Sequence, residues 1–434
     1  MAAVDRRPEG EPAVERDLRI ILVVQGVRAF AYGFGSVLLG VTLAAGGLSS
    51  AEVGAVFTAM LAGMALTSIG VGLWGDRIGR RRLYVVSFAV MAAAGATFAF
   101  TRWLPALILA SLSGTLSTDP NESGPITSLE QTMIGQAPAT SRIRVFGRYN
   151  AVAYLTGAVG SLAAGGPQAF RRVLPSLPAD QRFLLALPVL AATCLVLALR
   201  LSPAVEGEPG APGGRLRLPL ARSRRNVFRL ASLFAMDAFG GGFVVQAFLV
   251  FWFHRRFGAS LELMGLVFFG AGLLQAGSSL IAARVAGRVG LLNVMVFTHL
   301  PSNLLLAAVP FAPNLPGAIA LLLARFALSQ MDVPTRQAYV VAMVDPSERT
   351  AAAATTNLAR YAVRPVGPVA AGALMQNVAL GAPFVVAGAI KVAYDGLLYW
   401  TFRRVPLQDG SPPPEGSKGI GPGAADRTAG HDHS

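Results

Sequence analysis

The sequence Gly-Leu-Trp-Gly-Asp-Arg-Ile-Gly-Arg-Arg-Arg at residues 72–82 forms a short charged turn between two long apolar runs. A weaker copy, Ala-Arg-Val-Ala-Gly-Arg-Val-Gly, follows at residues 283–290, again between two apolar runs. The copies align at an offset of 211 positions, which places Arg77 on Arg288 and Gly79 on Gly290. A charged turn that recurs in both halves indicates a duplicated chain, and its apolar flanks indicate a chain embedded in a membrane.

The composition of the chain supports a membrane protein without reference to any motif. Hydrophobic residues make up 53% of the chain, charged residues make up 14%, and the mean hydropathy is +0.53. Soluble domains carry about 25% charged residues, so this chain has too little polar surface to cover a water-soluble body of its size. The net charge of +14 comes from arginines that flank the apolar runs, which favours a role in membrane topology over nucleic-acid binding.

Twelve apolar runs are long enough to be membrane-spanning helices, and they predict an all-α integral membrane protein. The least regular are the fourth, which Asp119 to Pro125 interrupts, and the tenth, which Asp332-Val333-Pro334 interrupts at a comparable place. We expect both helices to continue beyond the interruption. The predicted spans are 18–45, 53–74, 84–101, 104–136, 143–166, 182–201, 228–253, 262–284, 291–312, 316–342, 351–376 and 382–402.

The runs fall into two groups of six, which predicts two pseudo-symmetric six-helix bundles. Residues 202–227 are rich in proline, glycine and arginine and are expected to form an exposed linker. Residues 405–434 contain three consecutive prolines and several glycines, a composition typical of a disordered tail. The predicted organisation is a tail at 1–17, bundles at 18–201 and 228–404, the linker at 202–227, and the tail at 405–434.

The distribution of arginine predicts the orientation of the chain. Arginines concentrate in the loops that are cytoplasmic if both termini are cytoplasmic, and the loops on the other side carry fewer. All four tryptophans, Trp74, Trp103, Trp252 and Trp400, fall at predicted span ends, where aromatic anchors of the interface are expected. We therefore expect a multi-pass protein of the cell inner (plasma) membrane with both termini inside.

The first charged turn resembles the signature loop of the major facilitator superfamily, and its spacing Gly-x-x-x-Asp-Arg-x-Gly-Arg-Arg matches that pattern at every key position. The resemblance implies a secondary transporter whose two bundles hold a substrate between them. It also implies a gating role for the loop, which would hold the two halves together in one conformation and release them in the other. A loop that only sets topology is the alternative. The gating residues implied are Gly72, Asp76, Arg77, Gly79, Arg80 and Arg81.

Charged side chains inside the spans are the best sequence guide to a transport pathway. Each would cost about 2.5–3.5 kcal/mol facing lipid at the bilayer centre, so most must face protein or a wet cavity. The eleventh span carries several at helical spacing on one stripe. Structural pairs that tie helices together are the alternative for each residue. The predicted substrate or proton pathway consists of Arg28, Asp119, Glu122, Glu130, Asp237, Arg325, Asp332, Asn357, Arg360, Tyr361 and Arg364. Lys391 and Asp395, four residues apart in the last span, are expected to pair with each other.

The pattern of residues argues against an enzyme. The spans carry no histidine box, no His-Glu-x-x-His and no nucleophile elbow, and the chain has no nucleotide-binding Gly-rich loop with a lysine. We therefore expect no cofactor, no metal and no catalytic site. The partners expected are a small-molecule substrate, protons and the lipid bilayer, with no nucleic acid and with the protein acting as a monomer.

The predicted function is secondary transport of a small organic solute by alternating access, with proton-coupled efflux as the first interpretation. Asp119, Glu122, Glu130 and Asp237 are the candidate proton carriers, because burial favours the neutral form of a carboxyl group. The alternatives are an organic-anion importer or facilitator and, in a different class, a membrane sensor built on a transporter scaffold. The segment Ser-Gln-Met-Asp-Val-Pro-Thr-Arg-Gln at 329–337 resembles a narrower branch of bacterial and plant facilitators.

Overall fold

The computed structural model describes residues 11–120, 124–135, 139–176, 180–206, 220, 223–345 and 348–405. Within these ranges the chain forms α-helices and short 3-10 turns and contains no strand. The helices are α1 Glu11–Ala45, α2 Ser50–Ile78, α3 Arg80–Phe100, α4 Leu104–Leu112, α5 Pro125–Ile134, α6 Ala139–Ala163, α7 Gly166–Arg171, α8 Ala186–Ala198, α9 Arg224–Gly242, α10 Gln246–Phe257, α11 Leu261–Val289, α12 Leu291–Ala308, α13 Leu315–Ser329, α14 Asp332–Met343, α15 Arg349–Val363, α16 Val366–Asn377 and α17 Ala382–Phe402.

These helices build twelve membrane-crossing segments in two pseudo-symmetric bundles of six, as the sequence predicts. Several segments consist of two helices in line: α4 with α5, α6 with α7, α9 with α10, α13 with α14, and α15 with α16. By length and composition, eight helices of the described chain could cross a membrane. The fourth, fifth, tenth and eleventh segments do not pass that test, because they are broken or carry several polar residues.

The recurring charged turn has the same backbone conformation in both halves. Gly79 ends α2 and precedes α3 with φ 99° and ψ 127°, and Gly290 ends α11 and precedes α12 with φ 87° and ψ 155°. A positive φ is costly for residues with a Cβ atom, so glycine at both positions permits the same sharp reversal. The duplication that the sequence indicates is therefore present in the backbone.

The expected interruptions occur in the fourth and tenth segments, and the helix direction resumes after each. Residues 113–124 separate α4 from α5, and Gln330 and Met331 separate α13 from α14. The proline of each interruption sits at the start of a new helix or close to it, where its missing N–H costs nothing. A further break at residues 243–245, between α9 and α10, is not predicted by the sequence analysis.

The two bundles meet along three helix pairs: α1 with α10, α6 with α11, and α2 with α16. The contacts concentrate at the end of the protein that carries residues 46–49 and 258–260, which we call the loop end. There Arg255 donates to the Leu48 carbonyl at 3.0 Å, and Arg172 pairs with Glu262 at 2.6 Å. Gly54 and Gly372 lie so close that an added Cβ at Gly54 would be 3.1 Å from the Gly372 Cα. The loop end is therefore closed.

The opposite end carries the two charged turns, and we call it the turn end. Gly72 of α2 and Gly277 and Gly287 of α11 each have open space where a Cβ would point. Every hydrogen bond found between described residues of the two bundles lies midway along the protein or towards the loop end. The crevice between the bundles thus opens towards the turn end.

The outer surface of the bundles is apolar, as lipid contact requires. Leu66, Leu109 and Leu280 expose large fractions of their side chains. Trp74, Trp103 and Trp400 are also exposed, in agreement with their expected role as interfacial anchors. The same expectation is wrong for Trp252, which is fully buried and packs against Phe253 and Phe384. Periodicity alone cannot separate an anchor from a core aromatic near the end of a span.

Candidate transport site between the two bundles

Two broken helices, one from each bundle, meet midway along the protein. The Ala247 N–H at the start of α10 donates to the Thr118 carbonyl in the gap between α4 and α5, at 3.1 Å. Next to this bond, the Gln246 N–H donates to Asp119 Oδ1, also at 3.1 Å. Broken helices leave backbone groups without helical partners, so irregular backbone at this depth survives only where protein or water satisfies it. Here the free N–H groups at the start of α10 are satisfied by acceptors in the gap between α4 and α5.

Asp119 also forms an ion pair across the interface. Its Oδ2 accepts from Arg364 Nη2 at 3.2 Å, and the two side chains are 27% and 26% exposed. Arg364 lies at the junction of α15 and α16, directly before Pro365. The Asp119 carboxylate therefore faces a guanidinium and the positive end of α10 together, an arrangement that stabilises negative charge. Its partial exposure indicates that water in the crevice reaches the pair.

The Gln246 side chain extends the junction to two more helices. Its Nε2 donates to Ser36 Oγ of α1 at 2.9 Å and lies 3.2 Å from Ser161 Oγ of α6. These uncharged residues are not among the predicted site residues. A glutamine within the apolar run 243–253 was the available signal, since a buried amide needs partners. Five segments, the first, fourth, fifth, seventh and eleventh, thus converge at one polar junction.

Asp237 of α9 is the centre of a charged cluster inside the second bundle. Its carboxylate lies 2.5 Å from Lys391 Nζ, 3.3 Å from Arg360 Nη1 and 3.4 Å from Arg336 Nη1. His299 Nε2 is 3.7 Å away on the same side as Lys391. Arg336 also pairs with Asp332, four residues earlier on α14, at 2.9 Å. One carboxylate therefore links α9 to α12, α14, α15 and α17.

A second acid lies behind this cluster, away from the crevice. Asp395 of α17 is 2.8 Å from His299 Nδ1 and accepts from Asn303 Nδ2 at 2.9 Å. The expected pairing of Lys391 with Asp395 is wrong, because Lys391 donates to Asp237 instead. Spacing along one helix suggests neighbours within that helix, whereas packing offers Lys391 an acid on α9 at shorter range. His299 is a further polar residue that the sequence analysis misses.

Arg28 and Glu130 form the charged core of the first bundle. Arg28 pairs with Glu130 at 2.7 Å, and both side chains are almost fully buried. Tyr84 and Tyr149 donate to the same carboxylate at 2.7 and 2.6 Å, and Gln25 accepts from Arg28. The cluster ties α1, α3, α5 and α6 together without reaching the other bundle. A part for Arg28 and Glu130 in the transport pathway stays a prediction.

Arg325 of α13 differs from the other buried cations. Among the described residues its guanidinium makes no hydrogen bond and no ion pair, and its Nε is buried without a partner. The guanidinium lies 4.8 Å from the ring centroid of Phe326. Asp119 and Asp237 are the two acids that interact with it electrostatically. Arg325 is thus a cation in the interior whose hydrogen-bonding capacity is unused.

The remaining predicted pathway residues have mixed positions. Asn357 is exposed and Tyr361 is half-buried, on the same stripe of α15 as Arg360. Glu122 lies outside the described residues. The structure therefore brings together Asp119 with Arg364 at the interface between the bundles, and Asp237 with Asp332 and Arg360 inside the second bundle.

The predicted gating turn contacts its own bundle in this conformation. Glu206, which follows the sixth segment, accepts from the Arg80 N–H at 2.5 Å and from the Arg81 N–H at 3.2 Å. The Arg81 guanidinium donates to the Leu199 carbonyl at 2.5 Å. The Asp76 side chain lies outside the described part of the structure, and Arg77 is exposed. Glu206 was not predicted as a partner, because it lies at the edge of a polar linker with many charges.

Comparisons with known proteins agree with this architecture. A sequence model of the Major Facilitator Superfamily matches residues 21–329 and 231–427. An uncharacterised membrane protein of Saccharomyces cerevisiae is 26% identical over 424 residues, covering 90% of this chain and 95% of the yeast protein. The crystal structure of the nucleoside transporter NupG is similar with a TM-score of 0.70, at 13% identity, over 89% of this chain and 98% of that one. The inward-open xylose transporter XylE from E. coli is similar with a TM-score of 0.63, at 14% identity, over 91% and 97%.

Proposed function

Because the chain belongs to the major facilitator superfamily, we propose that this membrane transporter carries a small organic anion by alternating access. The sequence predicts proton-coupled efflux first and an organic-anion importer or facilitator second; the structure favours the organic anion. The reason is the sign of the charge that surrounds the crevice. Substrate sites of such duplicated transporters lie between the two repeats near the bilayer midplane.

The observation that carries the proposal is an excess of cations in the crevice. Among the described residues, Arg325, Arg336, Arg360 and Arg364 surround it, together with the acids Asp119, Asp237 and Asp332. Behind Asp237, the positive charge of Lys391 is offset by the negative charge of Asp395, so the four arginines exceed the three aspartates by one charge. Uncompensated charge in a low-dielectric interior is costly, so a solute that brings a negative charge would be stabilised there. Apolar neighbours such as Phe268 and Phe326 suit the organic part of that solute.

Alternating access is supported by the contrast between the two ends. The loop end is closed by polar contacts and by glycines packed against the other bundle, and the turn end is open. If both termini are cytoplasmic, the turn end faces the cytoplasm and the conformation is inward-open. Rocking of the bundles would open the loop end and bring the two charged turns together. We further propose that the protein works as a monomer in the plasma membrane.

Proton coupling is the second candidate, and Asp119 supports it better than Asp237. Asp237 balances three cations and His299, so protonating it would leave those cations facing one another inside the bundle. Among the described residues, Asp119 has Arg364 as its ion-pair partner, and its side chain is partly exposed. A proton could therefore reach Asp119 and release Arg364 without breaking a structural cluster. Efflux driven by proton exchange would use this residue.

The experiment is solute flux into proteoliposomes that contain the purified protein. A panel of organic carboxylates is compared with the matched neutral amides, with and without a proton gradient. We expect uptake or exchange of one or more carboxylates and none of their amides. Transport of the amides at equal rates would contradict an anionic substrate. Saturable binding without any flux would contradict transport and favour the sensor interpretation.

A further inference from the structure

The Asp119 carboxylate already occupies a complete anion site. Its two oxygens are held by separate donors, Arg364 Nη2 at 3.2 Å and the Gln246 N–H at 3.1 Å. The second donor is the first residue of α10, a twelve-residue helix whose N-terminus faces the interface between the bundles. A guanidinium combined with a helix N-terminus is a general way to bind carboxylate or phosphate groups. The ligand in this conformation belongs to the protein itself.

A second cation, Arg325, acts on the same carboxylate and makes no hydrogen bond or ion pair with the residues that the structure describes. Arg325 interacts electrostatically with Asp119, and its buried Nε has no hydrogen-bond partner. Buried donors are nearly always paired, so an unpaired guanidinium nitrogen in the interior indicates a missing acceptor. Arg325 projects from α13 and Arg364 from the junction of α15 and α16, and both act on Asp119. An anion with more than one oxygen could satisfy both arginines.

We propose that Asp119 is an internal stand-in for the substrate, holding the place that a carboxylate or phosphate group of the solute takes on binding. The bound anion pairs with Arg364 and the Gln246 N–H and supplies the acceptor that Arg325 lacks. This inference rests on the proposed function, since it assigns the substrate group to a place within the same crevice. Phe326, stacked under Arg325, places the apolar part of the solute beside its charged group.

Displacement of Asp119 has a consequence for the proton balance. The carboxylate loses its two donors when the solute anion binds, and two anions then lie close together in the interior. Asp119 takes up one proton from a hydronium ion in the crevice: an O–H bond of the hydronium breaks, an O–H bond forms on Asp119, and a water molecule remains. The solute keeps its negative charge and pairs with Arg364. The net result is that one proton and one anionic group cross together. This mode is symport, in contrast to the proton exchange expected from the sequence.

The groups that face Asp119 allow this exchange. Arg364 and Arg325 are the charged side chains that act on it within the described part of the chain. The helices α1, α6 and α10 contribute Ser36, Ser161 and Gln246 to the junction, and none of these side chains titrates. Asp119 is therefore the acidic group of this junction among the described residues.

The test is chemical rescue of Asp119→Ala with formate and acetate. Removal of the side chain takes the Asp119 carboxylate away from Arg364, Arg325 and the α10 N-terminus and leaves space for a small anion. We expect formate and acetate to raise the unfolding midpoint of the purified variant in a saturable way, and formamide and chloride at equal concentration to leave it unchanged. Arg364→Gln in the same background should weaken rescue by about tenfold or more, because hydrogen bonds to charged groups are the strong ones.

Asp332→Ala is the matched control, because it also removes a carboxylate from an arginine of the crevice. Arg336 keeps Asp237 as a partner in that variant, so formate should have no saturable effect. If Asp119→Ala does not fold, Asp119→Asn keeps the side-chain size, and it should bind formate more tightly than wild type. Equal responses of the Asp119 and Asp332 variants would overturn the proposal, and so would a formate affinity of Asp119→Asn equal to that of wild type.

These readouts are binding measurements and do not require flux. Saturable rescue of the variants without any transport by the wild type would support the anion site and contradict the proposed function. Carboxylate flux through the wild type without rescue of the variants would support the proposed function and contradict the anion site. Flux of a carboxylate that does not move protons with it, measured by a pH-sensitive dye inside the vesicles, would overturn the symport step.

Discussion

The glycines at the loop end are expected to control the balance between the two conformations of the transporter. Gly265 of α11 faces α6, and a Cβ added there would lie 2.7 Å from the Ser161 carbonyl oxygen and 3.2 Å from the Gly165 nitrogen. Both contacts are to backbone atoms, which cannot rotate away as a side chain can. Gly265→Ala therefore requires α6 and α11 to separate at the closed end.

The same helix provides a matched control. Gly277, twelve residues further along α11, has no atom within 4 Å of its added Cβ. Both substitutions replace a helical glycine by alanine and gain the same helix propensity. Only Gly265→Ala meets the other bundle in the conformation seen here. Any difference between the two variants then reports the closed interface rather than the helix.

The magnitude follows from the cost of overpacking. An extra methyl group in a well-packed interface costs typically about 1–3 kcal/mol. If this cost falls on the conformation closed at the loop end, the equilibrium shifts towards opening of the loop end by about 5-fold to 150-fold. Gly277→Ala should shift the equilibrium little, or in the opposite direction if the turn end closes around that position in the alternate conformation.

The assay is thiol labelling of a single cysteine. Cys194 is the only cysteine and is buried, so it is first replaced by serine. A cysteine is then placed at Val250, which is fully buried in α10 against Gly40 of α1. Gly265→Ala should raise its rate of reaction with a membrane-impermeant maleimide by the factor given above. If Gly265→Ala labels no faster than the parent protein, and at the same rate as Gly277→Ala, the loop end is not the closed gate.

Three further predictions concern the charged residues. Asp76→Asn should lower the rate of transport at saturating solute more than it lowers solute binding, and equal transport rates would remove the gating role of the turn. Asp237→Asn should destabilise the second bundle by about 3–5 kcal/mol, because it leaves several buried cations uncompensated, and thermal unfolding in detergent measures this. Arg172→Gln should change that stability by less than about 1 kcal/mol, because its pair with Glu262 is exposed to solvent, and a larger loss would contradict this estimate.

Several features of the site could be predicted from the sequence because they depend on the cost of charge in a membrane. Asp119, Asp237, Arg360 and Arg364 stand out in apolar segments, and the structure places them in two charged clusters, one between the bundles and one inside the second bundle. Their partners could not be predicted. Spacing along one helix predicts a pair of Lys391 with Asp395, whereas in the packed structure Lys391 donates to Asp237.

Uncharged participants were harder to recognise, since their cost in lipid is small and their role depends on geometry. Gln246 connects the two bundles through its backbone and its side chain, and nothing in the surrounding run Phe243 to Phe253 indicates a helix break. His299 and Glu206 were missed for related reasons, one as a single histidine in an apolar span and the other as one acid among many near a linker.

The sequence by itself determined the membrane environment, the duplication and the approximate spans, because hydropathy and a repeated turn are local properties of the chain. Tertiary structure alone decided that Asp119 lies between Arg364 and the start of α10, that Arg325 has no hydrogen-bond partner among the described residues, and that one end of the crevice is closed. These properties depend on contacts between residues separated by more than a hundred positions. In a bundle of parallel repeats, only the packing of the two halves selects which charges neutralise each other and which remain for a solute.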